Sequence, residues 1–335
     1  MIFGNKVTLL KKIFCIGEAL IDFIPIEKDH ALKDVASFER VAGGAPMNVA
    51  IAVAKYDGHA VMLTKLANDS FGDYLFDILQ ENGVDTTYII RSDEGETGLA
   101  FVSVDASGER DFSFYRKNAA DLLLAPEDVQ AVSFEQGDLL HFCSVDLVES
   151  PMKQTHRQVI EAIRAVDGIV SFDPNVRLPL WPNKELCRQT ILDFLPTADI
   201  IKVSDEELHF ITNIEDEAEA IRSLFVGHVQ VIVYTKGADG AIIYLKTGEV
   251  FEGAGFQVTV SDTTGAGDAF IGGFLAELLS LNVSLGQLDT IIRAHHQQLL
   301  TFANASGALT ASVKGAIHAA PGRKHVLTFI DAQQS

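Results

Sequence analysis

From residue 138 onward the chain alternates between short apolar runs and longer stretches of helical periodicity. Runs at 139–143, 169–173 and 200–203 precede helical stretches at about 151–166, about 183–194 and from about 205, with a second helical stretch at about 215–225. Strands separated by helices of this length must lie parallel, with right-handed crossovers and helices on both faces. Residues 229–235 and 241–245 are split only by Lys236-Gly-Ala-Asp-Gly240 and pair as neighbours. A helix from Gly265 and another over about 285–304 complete the pattern. The expected fold is α/β, a doubly wound, mostly parallel central sheet.

The first third reads differently. Residues 13–22 form a buried first strand ending at Asp22, and 37–41 a further strand. Gly43-Gly44-Ala45-Pro46 then breaks the pattern before a helix over 47–56, in whose first turn a proline is tolerated. A strand at 61–64 follows, and Asp69 or Ser70 caps a helix that Gly83 closes. Two alternating runs, 97–105 and 110–116, flank Ala106-Ser-Gly-Glu109 and read as a β-hairpin. Together they suggest a small antiparallel sheet standing off the main one.

The densest local signal is Asp262-Thr-Thr-Gly-Ala-Gly-Asp-Ala-Phe270. Residues 257–260 read as a strand before it, and Ile271, Phe274, Leu275 and Leu278 mark one apolar helix face after it. Glycines at a strand-to-helix junction leave backbone N–H groups unpaired at the positive end of the helix dipole, which makes an anion site. Asp268 inside that site suggests a base beside phosphoryl chemistry. Ligands of such folds bind beyond the carboxyl ends of the strands. Asp22, Glu149, Asp173 with Asn175, Ser204 with Glu207, Thr235 and Asp268 all fall there.

Composition narrows the partners. The 335 residues include 26 basic and 46 acidic side chains, a net charge of −20, which disfavours nucleic acid and anionic membranes. No apolar run reaches the length of a membrane span. Cys15, Cys143 and Cys187 have neither metal-ligand nor disulfide spacing, and a cytoplasmic location is expected. A dinucleotide Gly-x-Gly-x-x-Gly after the first strand and a Walker Gly-x-x-x-x-Gly-Lys are both absent from the sequence.

With these residues collected, the chain resembles the ribokinase-like (PfkB) sugar kinases, and among them the fructokinases. The resemblance rests on Asp262–Phe270 and Gly43-Gly-Ala-Pro-Met-Asn-Val-Ala50, supported by Gly17-Glu-Ala-Leu-Ile-Asp22, Phe172-Asp-Pro-Asn-Val-Arg177, Lys202-Val-Ser-Asp-Glu-Glu207 and Thr235-Lys-Gly237. It implies one kinase domain over 13–325, with nine or so core strands and a small β-sheet lid from about 22–42 and 96–117. It implies ATP-dependent phosphorylation of a sugar hydroxyl, with Asp268 as base and the N–H groups of Gly265, Ala266 and Gly267 stabilising the transferring phosphoryl.

The same resemblance assigns Asp22, Gly43, Gly44 and Asn48 to the sugar, with Glu149, Arg116 and Arg177 as further substrate contacts. Thr235, Gly237, Gly240, Asn304 and Ser204 go to ATP. Magnesium is expected through water on Glu207, where Ser204 replaces the Asn of a common Asn-x-x-Glu motif. Potassium is expected near Asp262, Thr264, Thr310 and Gly315. The Gly-Gly-Ala-Pro-Met-Asn string favours fructose. The alternatives are 2-keto-3-deoxygluconate kinase, which would want extra cations such as Arg116 or Arg177, and a non-catalytic sugar-binding regulator. A homodimer through the exposed lid edge is the expected assembly.

Overall fold

The structure, a computed structural model, describes residues 11–27, 30–104, 110–313 and 320–333. An eight-stranded sheet runs through it. Its parallel part comprises β1 (Lys12–Ile16), β4 (His59–Leu63), β9 (Leu139–Cys143), β10 (Ile169–Asp173), β11 (Ile200–Ser204) and β12 (Val231–Thr235). Two antiparallel strands, β13 (Gly240–Leu245) and β14 (Val250–Ala254), extend one edge, giving the order β14-β13-β12-β11-β10-β9-β1-β4.

Alternate strand residues enter opposite cores, as the two-residue period requires. Ile13, Cys15, Leu139 and Ile169 face one layer, with helices α1 (Ala45–Lys55), α2 (Ser70–Glu81), α7 (Ala266–Ser280) and α8 (Leu288–Ala311). Phe14, Ile16, Leu140 and Phe142 face the other, with α3 (Pro151–Arg164), α4 (Lys184–Phe194), α5 (Asp205–Thr212) and α6 (Glu217–Ser223). The helix starts follow local chemistry. Asp69, Asn183 and Asp216 each accept backbone N–H groups, and Ser204 with Glu207 forms a capping box.

A second, four-stranded sheet stands off the first in the order β3-β2-β7-β8, from β2 (Leu20–Pro25), β3 (Phe38–Gly43), β7 (Leu99–Val104) and β8 (Arg110–Tyr115). The β7–β8 pairing is the expected hairpin, while its turn at 106–109 lies outside the described residues.

Several expectations are corrected. Residues 13–22 are not one strand. The chain turns at Gly17 (φ 146°), so β1 joins the main sheet and Asp22 lies on β2 in the second. The main sheet has eight strands among the described residues, in line with the nine or so expected. Residues 257–260 form no strand: they are mostly exposed, with Val260 at 60%, and no burial rewards pairing them. The last core helix runs past Asn304 to Ala311, because its apolar face continues to pack on α7. Four short elements carried too little periodicity to be read: β5 (Lys65–Ala67), β6 (Ile90–Ser92), β14 and the C-terminal helix α9 (Arg323–Gln333). Among the described residues no single helix is long and apolar enough to cross a membrane.

Candidate active site

The carboxyl ends of β10 and β11, the start of α1, the second sheet and the start of α7 enclose a cavity of about 720 Å³. Asp22, Gly44, Asn48, Arg177, Lys202, Ser204, Glu207, Thr264, Gly265, Gly267 and Asp268 all border it. Sequence separation within this set is large. The fold brings the residues together, as the polar strand ends required.

At the floor, α7 begins at Gly265, which sits in the left-handed region (φ 75°) that a side chain would strain. Asp262 Oδ1 accepts the Thr264 N–H at 2.9 Å and tightens the turn before it. The Ala266 N–H is turned onto the Thr263 carbonyl at 3.2 Å. Of the three amides expected to face an anion, that one is already engaged.

Asp268 occupies the first turn of α7, where Asn48 Nδ2 donates to its Oδ2 at 2.7 Å. Burial raises the Asp268 carboxyl above its ordinary range, against the opposing effects of Asn48, Arg177 and Lys202.

Above this floor, Asp22 projects from β2 beside Gly43 and Gly44. A Cβ on Gly43 would fall 2.1 Å from Asp22 Oδ2, and one on Gly44 (φ 109°) would fall 2.4 Å from the Glu18 carbonyl oxygen. Both glycines are therefore demanded by close approach.

Lys202 was not singled out from the sequence, although a lysine inside the apolar string Ile200-Ile-Lys-Val203 is a visible anomaly. It is buried and holds Asp173 Oδ2 at 3.0 Å and Oδ1 at 3.2 Å. Burial pushes the Asp173 carboxyl up to about 7 despite this partner. A Cβ on Gly267 would stand 3.4 Å from Lys202 Nζ, so the ammonium lies beside the α7 start.

Glu207 accepts from the Val176 N–H at 2.9 Å and from the Ser204 N–H and hydroxyl, each at 3.0 Å. Burial would raise it, but Lys202 and these donors outweigh burial and hold it below its usual range. Among the described residues no group of three His, Cys, Asp or Glu side chains is placed to hold a metal ion.

Other expected residues lie elsewhere. Glu149 is 82% exposed at its side chain and pairs with Lys153 at 3.3 Å, so it is a solvated residue before α3 and does not border the cavity. Arg116 is only 6% exposed, and its guanidinium is spent on Asp121 and Asp146, which leaves no free clamp for a phosphate. Arg177 does border the cavity.

Thr235 lies at the end of β12, level with Ser204 on β11. Gly237 and Gly240, both at positive φ, shape the turn into β13. Asn304 donates to the carbonyls of Gly253 and Ala254, each at 3.1 Å, and so ties α8 to β14. These four form a shelf beside Ser204 rather than part of the cavity wall. Thr310 is buried, with its hydroxyl on the Ser306 carbonyl. Gly315 lies outside the described residues.

The sequence profile of the pfkB family of carbohydrate kinases matches residues 10–323. The chain is 39% identical over 318 residues to probable fructokinase-6, chloroplastic, of Arabidopsis thaliana, covering 94% of this chain and 81% of that protein. It superposes on fructokinase with bound ATP from Xylella fastidiosa with a TM-score of 0.88, at 37% identity over 98% of this chain and 100% of that one. Fructokinase from Vibrio cholerae O395 in its fructose, ADP and calcium ion bound form gives 0.84, at 32% identity over 96% and 99% of the two chains.

Proposed function

The chain belongs to the pfkB family of carbohydrate kinases, and we propose that it acts as a fructokinase, transferring the γ-phosphoryl of ATP to D-fructose to give D-fructose 6-phosphate. The observation that carries this reading is Asp268 held by Asn48 at the start of α7, facing a cavity that Asp22 and Gly44 border from the other side.

Asp22 accepts hydrogen bonds from sugar hydroxyls, its two oxygens matching a vicinal diol. Gly43 and Gly44 let the sugar approach the backbone, and Asn48 orients Asp268. The carboxylate of Asp268 takes the proton from the attacking hydroxyl. The Gly265 and Gly267 amides, with Arg177 and Lys202, stabilise charge on the phosphoryl oxygens. The nucleotide lies along the shelf of Ser204, Thr235, Gly237, Gly240 and Asn304, and the second sheet covers the sugar as a lid.

A divalent ion fits as a water-bridged partner of Glu207. The ionised carboxylate has local donors on both oxygens, and magnesium keeps several waters in such sites. When bound, magnesium neutralises phosphate charge. Asp262 and Thr264, just before the anion site, support a potassium ion nearby. The buried free thiols support a cytoplasmic setting, and the edges β3 and β8 of the lid suit a homodimer.

The rival sugar-acid kinase loses one of its two expected cations, because Arg116 is consumed by Asp121 and Asp146. The test is ATP-dependent ADP release, with Mg²⁺ and K⁺ present, on fructose, ribose, glucose, 2-keto-3-deoxygluconate, adenosine and fructose 6-phosphate. Preference for fructose supports the reading, and turnover of another sugar alone overturns the substrate assignment.

A further inference from the structure

At the sugar-side wall, which Glu18 itself lines, begins an ionic knot to which the reaction above assigns no part. Glu18, in the link from β1 to β2, Arg116, just past β8, Asp121, in the turn that follows, and Asp146, after β9, are all buried. Arg116 Nη2 donates both to Asp121 and to Asp146 Oδ1, the latter at 2.6 Å. Glu18 Oε1 accepts the Ala45 N–H at 2.8 Å, at the start of α1. Three oxygens, Glu18 Oε2, Asp121 Oδ1 and Asp146 Oδ2, and one N–H, Arg116 Nε, are buried without a hydrogen-bond partner among the described residues, so acceptors outnumber donors.

Three carboxylates around one guanidinium leave two uncompensated charges in a dry site, which is strongly unfavourable. A proton on one carboxyl removes a charge and supplies a missing donor. Asp121 and Asp146 are each bound directly by the guanidinium, whereas Glu18 has only a backbone amide. The proton therefore belongs on Glu18. We propose that Glu18 is a positioning residue that works in its neutral form, its Oε2–H supplying a donor to the unpaired acceptors of this knot, and that the neutral group fixes the start of α1 and so the Asn48–Asp268 contact.

The electrostatic surroundings agree. Burial first, then Asp146, push Glu18 well above the usual carboxyl range, with Arg116 opposing. Burial also pushes Asp121 up to about 6. The groups around Glu18 are Asp146 and Cys143 from β9 and its loop, Arg116 and Asp121 from the end of β8 and beyond, and Asp22 and Asp268 across the cavity. Lys65 of β5 is spent on Asp128 at 2.6 Å. Two of the four chain segments that join the second sheet to the first, β1 to β2 and β8 to β9, pass through this knot, so its protonation bears on how the sheet seats over the cavity.

The kinetic arm of the test rests on the fructokinase reading, and the spectroscopic arm does not. In the wild type the KM for fructose is expected to rise at alkaline pH as Glu18 loses its proton. Glu18→Ala is expected to raise that KM at least tenfold at neutral pH. Glu18→Gln, permanently neutral, is expected to recover most of the loss and to abolish the alkaline rise. Infrared spectroscopy of the protein without substrate should show a buried neutral carboxyl band at neutral pH that disappears in Glu18→Gln. Should Glu18→Ala fail to fold, Asp146→Asn serves instead: losing the neighbouring charge should move the alkaline rise to lower pH. Absence of the neutral carboxyl band overturns the proposal whatever the substrate proves to be. So does a Glu18→Gln variant that keeps the wild-type pH profile or is as impaired as Glu18→Ala.

Discussion

The side-chain amide of Asn48 reaches across 220 positions of sequence to donate to Asp268 Oδ2 at 2.7 Å, joining the first turn of α1 to the first turn of α7. Four predictions follow from this contact and its surroundings.

Asp268→Asn removes the proposed base and leaves the shape of the site. A positioned general base is worth roughly 10²–10⁴-fold, so kcat should fall by about that factor. KM for fructose and for ATP should change little. Steady-state kinetics check this, and turnover near the wild-type level would remove Asp268 from the role.

Asn48→Ala deletes a hydrogen bond that favours the ionised form of Asp268. Burial already raises that carboxyl, and the variant should raise it further. The base must be deprotonated to act, so kcat is lost as pH falls through its pKa. The acid limb of the kcat–pH profile should move to higher pH than in the wild type, and an unmoved limb would contradict the assignment.

Gly43→Ala places a methyl group 2.1 Å from Asp22 Oδ2 at a position whose backbone does not itself demand glycine. The fold should survive while the Asp22 carboxylate is displaced. Fructose KM should rise tenfold or more, with ATP KM within about twofold of the wild type. The split between the two KM values is the measurement.

Lys202→Met strands the buried Asp173 carboxylate. Removing one partner of a buried pair costs about 3–5 kcal/mol, which denaturant titration at neutral pH will read. The pH dependence has a definite sign. A group raised from 3.8 to about 7 binds its proton more tightly when folded, so its stability contribution is present at acid pH and lost as pH rises from about 4 through about 7. Without the ammonium the Asp173 pKa should climb further, extending that loss to higher pH.

The sequence by itself determined the helices and strands whose signals are local. Short apolar runs marked the buried strands of the main sheet, and Asp69 or Ser70 marked a helix start, which the structure resolves to Asp69 as the cap. Gly265 marked the turn into α7 because glycine at that junction has a backbone reason visible in a few residues. Tertiary structure alone decided which sheet Asp22 joins, since a strand's neighbour is chosen by hydrogen-bond partners far along the chain. It alone turned Arg116 inward onto Asp121 and Asp146, exposed Glu149 and paired Lys202 with Asp173. An ionisable residue's role depends on which charges and how much water surround it. Topology fixes those surroundings, and no short window of sequence contains them.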